Sequence, residues 1–474
     1  MPRTAVNAQA LGQFVSEKWD EEIVPRLTEY IRIPCKSPHF DSQWQGNGHL
    51  EAAVALAESW CQRQHLPGLT LEVMRLPNRT PLLFFDLAGE SPGTVLLYGH
   101  LDKQPEMIGW REGFGPWEPV LEGGKLYGRG GADDGYAVFA SLTALLALRE
   151  QHVPHARCVG LIECCEESGS YDLPAYLELL AARVGMVDLV IGLDSGCGNY
   201  DQLWVTTSLR GIAAGTLTVE VLTEGVHSGD ASGVVPSSFR IARRLLDRLE
   251  DSASGQILPT QFHCEIPPER IEQARQAGAI LGATALTRFP FAGRTQSMVA
   301  SPDEAVLNRT WRPFLSVVGA DGLPAIQDAG NVLRPRTALK LSLRIPPLVD
   351  GRQATAELER ILEADPPQGA NVRFEPDQGA TGWSAPPTAP WLARAVNEAS
   401  QAFYGRPAVM MGEGGTIPFM AMLGKQFPEA QFLITGVLGP RSNAHGPNEF
   451  LHIDYAKKLT CCVAEVVAAH GSVA

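Results

Sequence analysis

Five short, mostly apolar runs in this chain lead directly into a histidine or an acidic residue, and this pattern strongly constrains the fold. The residues that follow the runs are His100, Asp133, the pair Glu166 and Glu167, Asp194, and His445. A buried carboxylate or imidazole must meet a cation, a hydrogen-bonding partner or water. Several such groups together, two of them histidines, predict one site that holds two metal ions.

The order of apolar runs and helical patterns predicts an α/β protein. Over residues 1–209, strands of near-continuous apolar character alternate with helices, as in a mostly parallel sheet flanked by helices. Residues 210–382 change to a strand-helix-strand order that repeats, which predicts a small α+β domain inserted into the first domain. The α/β pattern resumes over residues 383–474 and returns His445 to the same α/β layer as the other four candidates. In such sheets, functional groups collect beyond the carboxyl ends of the strands.

Composition excludes several kinds of partner. The formal net charge is −14 and no basic run with interleaved aromatic residues occurs, so nucleic acid is not an expected partner. No apolar run approaches the roughly 20 residues of a membrane-spanning helix, and the first residues lack the apolar stretch of a secretory signal. The nine cysteines form no Cys-x-x-Cys pair, and we expect free thiols in a reducing, cytoplasmic compartment.

The residue types at the five positions suit a dinuclear metal site. Two neighbouring metals need one ligand that reaches both, and Asp133, in a glycine-rich turn, can present both carboxylate oxygens. Asp102 lies two residues after His100, on the same face of an extended chain, where it can orient the imidazole. Of the adjacent Glu166 and Glu167, one can bind metal while the other takes a proton from water. Mixed imidazole and carboxylate ligands favour Zn²⁺, with Mn²⁺ or Co²⁺ as alternatives.

The motifs resemble those of the dizinc metallopeptidase family of carboxypeptidase G, aminoacylase, succinyl-diaminopimelate desuccinylase and carnosinase-type dipeptidases, and especially its dipeptidase branch. The matching stretches are Tyr-Gly-His100-Leu-Asp102, Gly-Arg-Gly-Gly-Ala-Asp133-Asp134-Gly, Glu166-Glu167-Ser-Gly, Asp194-Ser and Asn443-Ala-His445. Each stretch alone is also compatible with a structural histidine, a solvated turn or an acidic helix cap. Together they span nearly the whole chain.

The resemblance implies a role for each of these residues. It implies that Asp133 bridges two metal ions, that Glu166 is the general base, and that Asp102 is the partner of His100. The resemblance divides the other ligands between two sites, with His100 and Asp194 at one and Glu167 and His445 at the other.

The resemblance also implies that the inserted domain is a lid and dimerisation domain, and hence that the protein is a homodimer. In Val-His227-Ser-Gly-Asp it implies a histidine that reaches the partner's active site and opposes the developing oxyanion charge. In Leu-Ser-Leu-Arg344-Ile it implies an arginine that holds the substrate's terminal carboxylate. Further substrate contacts are implied on the lid and on a glycine loop before a helix, at Asn331, Gly414, Gly415 and Thr416.

These expectations predict a cytoplasmic, metal-dependent exopeptidase, a dipeptidase or carboxypeptidase type that acts on a short peptide. An N-acyl amino acid amidohydrolase (a deacetylase, desuccinylase or carbamoylase) uses the same metal core and is the main alternative. A non-catalytic binding protein of the same fold is a weaker alternative, because the sequence has the expected general base and every expected metal ligand. The sequence departs from the dipeptidase pattern at Gly135-Tyr136, where Lys-Gly is common, and at Gly412, where arginine is usual. Both departures bear on substrate choice.

Overall fold

The structure is a computed structural model that describes residues 5–377 and 379–472. The chain groups into two compact units. The first unit comprises Met1–Thr207, Ala385–Met411 and Met422–Ala474, and the second comprises Ser208–Ser384 and Gly412–Ala421. The predicted boundaries at 209/210 and 382/383 lie close to these limits. The prediction keeps Gly412–Ala421 in the catalytic part, whereas the structure groups this segment with the second unit.

The described residues form strands of varied length across both units. In chain order the strands are β1 Leu69–Met74, β2 Leu82–Leu87, β3 Ser91–His100, β4 Val120–Glu122, β5 Lys125–Tyr127, β6 Ala156–Glu163, β7 Leu189–Gly192, β8 Trp204–Leu209, β9 Gly211–Glu220, β10 Val226–His227, β11 Phe314–Asp321, β12 Val332–Leu333, β13 Arg336–Ile345, β14 Asn371–Pro376, β15 Trp383–Ser384, β16 Val409–Glu413, β17 Gln431–Ile434 and β18 Phe450–His452.

Helices alternate with these strands through much of the chain. In chain order the α-helices are α1 Ala8–Lys18, α2 Val24–Ile31, α3 Trp44–Asn47, α4 His49–Arg63, α5 Ala137–Glu150, α6 Leu173–Val184, α7 Ser228–Ala231, α8 Ser238–Leu246, α9 Pro268–Leu281, α10 Thr284–Thr287, α11 Pro302–Thr310, α12 Gly351–Glu363, α13 Pro390–Tyr404, α14 Pro418–Gln426 and α15 Ile453–His470.

A six-stranded sheet in the order β1-β2-β6-β3-β7-β17 lies at the centre of the first unit. The strands β6, β3, β7 and β17 are parallel to one another, while β2 runs antiparallel to both β6 and β1. The central strands are buried along most of their length, which is why their sequences are continuous apolar runs. The alanine- and leucine-rich α5 is buried on almost every side and packs against β3 and α15.

The second unit is built on a four-stranded antiparallel sheet in the order β11-β13-β9-β14. The strand β9 alternates between buried and partly exposed residues, as expected when one face of a sheet is covered. The covered face packs against α8 and α12 through a core that includes Leu217, Leu245, Leu341 and Leu358. Arg344 lies between the buried Leu343 and Ile345 on β13 and therefore belongs to the opposite face.

The predicted fold class is confirmed: a mostly parallel sheet flanked by helices carries an inserted α+β unit. Among the helices of the described residues, none is both long enough and apolar enough to cross a membrane.

Candidate metal centre

Three neighbouring strands place four of the predicted residues at one edge of the first unit's sheet. The strand β3 ends at His100, which pairs in register with Glu163 at the end of β6. The 3₁₀ turn Glu166–Ser168 follows β6, and Asp194 lies just beyond β7. Because β6, β3 and β7 are adjacent and parallel, their carboxyl ends meet at the same edge.

Asp133 lies in the tight turn Gly131–Gly135 that joins β5 to α5. A Cβ atom at position 135 would lie 2.2 Å from Cε1 of Tyr30, so the packed tyrosine ring leaves room for glycine alone. This contact explains why a glycine follows the aspartate pair in this chain. The peptide bond between Asp133 and Asp134 is cis.

His445 lies in the loop that precedes β18, far from the other candidates in sequence. The strand β18 pairs antiparallel with β5, the strand before the Asp133 turn, and this pairing brings the loop beside that turn. His445 has a left-handed backbone, with φ of +64°. Its side chain is 53% exposed, more than that of any other predicted ligand.

The five predicted metal ligands form two groups that share Asp133. His100 Nε2 lies 3.4 Å from Asp133 Oδ1 and 3.8 Å from Asp194 Oδ2. His445 Nε2 lies 3.1 Å from Asp133 Oδ2 and 3.4 Å from Glu167 Oε2. Within each group the candidate ligand atoms lie within 4.8 Å of one another. The two oxygens of a single carboxylate therefore face two separate groups of donors.

The site carries more negative charge than its own residues balance. The buried carboxylates that crowd it belong to Asp102, Asp133, Asp134, Glu163, Glu166, Glu167 and Asp194. In the part of the chain that the structure describes, their only ion-pair partners are His100 and His445. His100 Nε2 is buried and makes no hydrogen bond with a described residue. Buried charges at this density need cations, and the donor set fits two divalent metal ions.

The pKa values of these groups reflect the crowding. Burial, together with the charge of Asp133, raises the pKa of Asp194 to about 7 and that of Glu167 to about 8. Burial and the charge of Asp194 raise the pKa of Glu166 well above its usual value. Burial also acts to raise the pKa of Asp133, but the two imidazoles beside its carboxylate outweigh burial and hold that pKa below its usual range. Perturbed values of this kind cluster at functional sites.

Asp102 connects His100 to the turn that carries the two glutamates. Its Oδ1 lies 3.4 Å from His100 Nδ1, and the same ring nitrogen lies 3.1 Å from the Asp102 carbonyl oxygen. The Asp102 carboxylate accepts hydrogen bonds from the backbone N–H groups of Glu166, at 3.1 Å, and Glu167, at 3.0 Å. Asp102 thereby holds the imidazole and the glutamate turn in one arrangement.

The sequence motifs predict no role for several residues that lie around the site. Asp134 is buried and accepts a hydrogen bond from the backbone N–H at the end of β3 at 3.3 Å. Gln104 Nε2 donates to Glu167 Oε2 at 2.7 Å. Arg129 and Glu449 form a buried ion pair at 2.5 Å. Arg129 and Asp134 lie within the stretch Gly-Arg-Gly-Gly-Ala-Asp133-Asp134-Gly, whereas no sequence motif marks Gln104 or Glu449.

The predicted substrate-binding residues lie in two places in the second unit. Arg344 Nη1 donates to Thr416 Oγ1 at 3.1 Å, and Thr416 donates to the backbone oxygen of Arg210 at 2.6 Å. Arg210 Nε donates to the backbone oxygen of Gly414 at 3.3 Å. These bonds bring the glycine loop, including the exposed Gly415, beside Arg344.

His227 and Asn331 lie together on a two-stranded ribbon. The strand β10 pairs antiparallel with β12, so that His227 is opposite Val332. The backbone N–H of Ser228 donates to the Asn331 carbonyl oxygen at 2.9 Å. Both His227 and Asn331 are exposed, so their side chains are accessible to a ligand.

The departure at Gly412 has a steric cause. A Cβ atom at this position would lie 2.4 Å from Ser208 Oγ and 2.9 Å from Thr310 Cβ. An arginine side chain at position 412 has no room in this arrangement.

Arginines from other elements lie beside the glycine loop instead. Burial and the nearby charges of Arg344 and Arg309 lower the pKa of Arg210 to about 10, which reflects how close the three guanidinium groups are. A cavity of about 590 Å³ is lined by these arginines and by apolar side chains, among them Phe289 and Phe291. Arg309 also lies 3.7 Å from Glu413, whereas Arg344 forms no ion pair with a described carboxylate.

Carboxylates and two imidazoles that gather around Asp133, beside the carboxyl ends of the strands of an α/β sheet, form a site of the kind that metal-dependent hydrolases use. Residues 96–469 match the model of Peptidase family M20/M25/M40. The chain belongs to this family.

Similar proteins cover almost the whole chain. The cysteinylglycine-S-conjugate dipeptidase of Corynebacterium striatum is 27% identical over an alignment of 466 residues that covers 95% of this chain and 96% of that protein. The Beta-Ala-His dipeptidase of Homo sapiens is 27% identical over 484 residues, covering 95% of this chain and 91% of that protein. The structure of the dipeptidase Dug1p from Saccharomyces cerevisiae matches with a TM-score of 0.78 and 21% identity, covering 98% of this chain and 99% of that one. At that identity the structural match shows the fold.

These findings confirm the resemblance drawn from the sequence, and with it the prediction of a metal-dependent hydrolase of peptide bonds. The fold of the solved relative agrees with the predicted α/β protein and its inserted domain.

Proposed function

We propose that this protein is a dipeptidase that removes the C-terminal residue from a short peptide at a dinuclear metal site. One observation carries the proposal: the two oxygens of Asp133 face two imidazoles, His100 at 3.4 Å and His445 at 3.1 Å. Each imidazole also has a second carboxylate beside it, from Asp194 or Glu167. A hydrolase that uses two metals needs this arrangement of one shared and several separate ligands.

The proposed ligands are divided between two metal ions. Asp133 is shared, His100 and Asp194 hold one ion, and Glu167 and His445 hold the other. This mixture of nitrogen and oxygen donors suits Zn²⁺ best, with Mn²⁺ or Co²⁺ as alternatives. When bound, such a pair of cations polarises the scissile carbonyl and lowers the pKa of water.

Glu166 is the proposed general base. It is buried at the edge of the sheet, and among the described residues its carboxylate has no ion-pair partner, so it is available to accept a proton. It takes a proton from the attacking water and gives it to the leaving amine. Asp102 acts through His100 and the glutamate turn, since it contacts both.

Arg344 and the glycine loop are the proposed site for the substrate's terminal carboxylate. The guanidinium of Arg344 is partly buried and has no carboxylate partner among the described residues, so it can bind one from a ligand in a two-pronged contact. Thr416 orients it, and the peptide groups of Gly414 and Gly415 lie beside it. Asn331 is the proposed further contact on the lid.

His227 is proposed to act on the active site of a partner subunit, which requires a homodimer formed through the second unit. Its exposure on the β10–β12 ribbon supports this, because the side chain is accessible to a second chain. A protonated imidazole in that position would oppose the charge that develops on the carbonyl oxygen. We also propose a cytoplasmic location, which is supported by the lack of disulfide bonds among the cysteines of the described residues.

The experiment compares substrates on enzyme that has been stripped with a chelator and re-supplied with Zn²⁺, Mn²⁺ or Co²⁺. The panel contains dipeptides, the same dipeptides with an amidated C-terminus, and N-acetyl, N-succinyl and N-carbamoyl amino acids. We expect turnover of free dipeptides and a kcat/KM about 100-fold lower for the amides, because Arg344 loses its anionic partner. Turnover confined to the N-acyl compounds would contradict a dipeptidase, and full activity of the chelated enzyme would contradict the metal site.

A further inference from the structure

A buried ion pair connects the two loops that supply Asp133 and His445. Arg129 Nη1 donates to Glu449 Oε2 at 2.5 Å, and the two side chains are 1% and 0% exposed. Arg129 immediately precedes the glycines of the Asp133 turn, and Glu449 is at the end of the His445 loop. The pair therefore joins segments that are about 320 residues apart in sequence.

Further hydrogen bonds from the same two side chains hold the backbone of both loops. Glu449 Oε1 accepts from the Gly130 backbone N–H at 2.9 Å, and Arg129 Nη2 donates to the carbonyl oxygen of Gly446 at 2.9 Å. Gly446 directly follows His445. The Gly128 N–H also donates to the Glu449 carbonyl oxygen at 3.0 Å. The guanidinium and the carboxylate thus each bind the opposite loop.

The His445 loop depends on such contacts because it has no regular secondary structure to hold it. Four of its non-glycine residues have left-handed backbones, at Arg441, Asn443, His445 and Asn448. The other group of candidate ligands is anchored differently, since His100 ends β3 and Asp194 lies two residues beyond the end of β7 in the same sheet. Asp133 belongs to both groups, but its turn is also held beside β3, because Asp134 accepts a hydrogen bond from the His100 backbone N–H at 3.3 Å. Among the described residues the ion pair forms no hydrogen bond with β3 or β7, so its loss should act mainly on the position of the His445 loop.

Stability alone does not account for a buried ion pair. Taking two charges out of water costs about as much as their attraction returns, and an apolar pair of similar volume is often equally stabilising. What Arg129 offers beyond an apolar side chain is a rigid fork of donors with fixed directions. The guanidinium donates hydrogen bonds to the Glu449 carboxylate, to the carbonyl oxygen of Gly446 and, through Nε at 3.3 Å, to the carbonyl oxygen of Pro105.

We infer that Arg129 and Glu449 are positioning residues for the metal site of Asp133, Glu167 and His445. They hold the two loops so that Asp133 Oδ2 and His445 Nε2 face the same ion. This inference rests on the dinuclear site proposed above. It predicts a selective effect: loss of the pair weakens the second metal site and leaves the site of His100 and Asp194 intact.

The test measures zinc binding rather than activity. Wild-type protein, Glu449→Gln, and the double variant Arg129→Leu with Glu449→Leu are stripped with a chelator and dialysed against buffered free Zn²⁺, and bound zinc is counted. We expect two zinc ions in the wild type. In both variants we expect one ion with unchanged affinity and a second whose Kd is raised about 10- to 100-fold, the usual effect of removing an outer partner of metal ligands.

The matched control removes another ion pair of the same unit. Arg157 Nη2 and Asp86 Oδ2 pair at 2.5 Å, away from the candidate ligands, and the variant Arg157→Leu with Asp86→Leu should still bind two zinc ions. Thermal unfolding checks that each variant is folded. If the double variant does not fold, the nearly isosteric Glu449→Gln decides the question.

The outcomes separate this inference from the proposed function. Fewer than two zinc ions in the wild type would contradict the dinuclear site and the inference with it. Two ions in the wild type and unchanged binding in the variants would overturn the positioning role alone. Equal weakening of both sites would also overturn it, because a general loss of structure has that effect.

Discussion

At the residue scale, two adjacent glutamates have different environments because one aspartate holds the backbone between them. Asp102 accepts the N–H groups of both Glu166 and Glu167, so the chain turns there and the side chains diverge. Glu167 faces His445 and Gln104. Glu166 lies nearer Asp194, whose charge raises its pKa in addition to burial. This difference supports a ligand role for one glutamate and a proton-transfer role for the other.

The first prediction concerns Glu166→Gln. This change keeps the volume of the side chain and removes its ability to accept a proton, so kcat should fall by about 10³-fold while bound metal is unchanged. Steady-state kinetics and metal analysis of the same preparation test it.

Its control is Glu112→Gln, which alters an exposed carboxylate and should leave kcat within about twofold of the wild type. If Glu166→Gln retains more than about a tenth of the wild-type kcat, Glu166 is not the base.

The sequence indicates that some residues belong to the site and gives no indication for others. His100 and Asp194 follow buried strands, and their types and positions alone indicate an edge site. Arg129 and Glu449 are different, because an arginine in a glycine turn and a glutamate in a loop are ordinary on a surface. Their pairing depends on the contact of β5 with β18, which sequence periodicity does not specify.

At the element scale, the six strands of the first unit's sheet and the amphipathic helices were predictable, whereas the helices α9 and α11 were not. The buried positions of α9 are Arg270, Gln273, Ala274, Ala277 and Gly278, which are polar or small. Without a stripe of large apolar residues, the segment has no helical signature. The backbones of α9 and α11 lie close together instead, since a Cβ atom at Gly278 would lie 2.6 Å from the backbone nitrogen of Asp303 on α11.

The second prediction concerns the packing of α13 against α15. Burial, with the charge of Glu398 on α13, raises the pKa of Glu465 on α15 to about 7 from 4.5. The folded state thus binds this proton more tightly than the unfolded state. Protonated Glu465 therefore contributes fully to the free energy of unfolding below pH 4.5, and this contribution is lost as the pH rises through about 7.

Glu465→Gln removes this dependence and should raise the free energy of unfolding at pH 8 by about 1 kcal/mol, a value reduced for partial solvent exposure. Urea unfolding of variant and wild type at pH 8 and pH 4 measures it. Glu398→Gln should give part of the same increase in the free energy of unfolding, because it removes one of the two causes of the raised pKa of Glu465. An equal gain at both pH values would contradict the titration of Glu465.

At the scale of the whole molecule, His227 is exposed on the second unit, and the proposal that it acts in trans has a direct test. His227→Ala lacks the histidine but keeps Glu166, and Glu166→Gln lacks the base but keeps the histidine. In a mixed dimer, one active site regains both groups if the histidine comes from the partner.

The third prediction is therefore that mixing the two inactive variants restores about a quarter of the wild-type activity once subunits exchange, since half the dimers are mixed and each has one complete site. Activity is followed against time after mixing, with size-exclusion chromatography to establish the dimer. Each variant incubated alone is the control. No recovery in mixtures shown to contain mixed dimers would contradict action in trans.

The sequence by itself determined the family, the α/β fold with its insertion, and a set of candidate ligands, because strand-end residues and glycine turns are local features. The tertiary structure decided which oxygen of Asp133 faces which imidazole, and that Tyr30 and Ser208 exclude side chains at positions 135 and 412. It also decided that Arg129 and Glu449 join two distant loops. These are contacts between residues far apart in sequence, and their geometry is fixed by packing rather than by any local pattern.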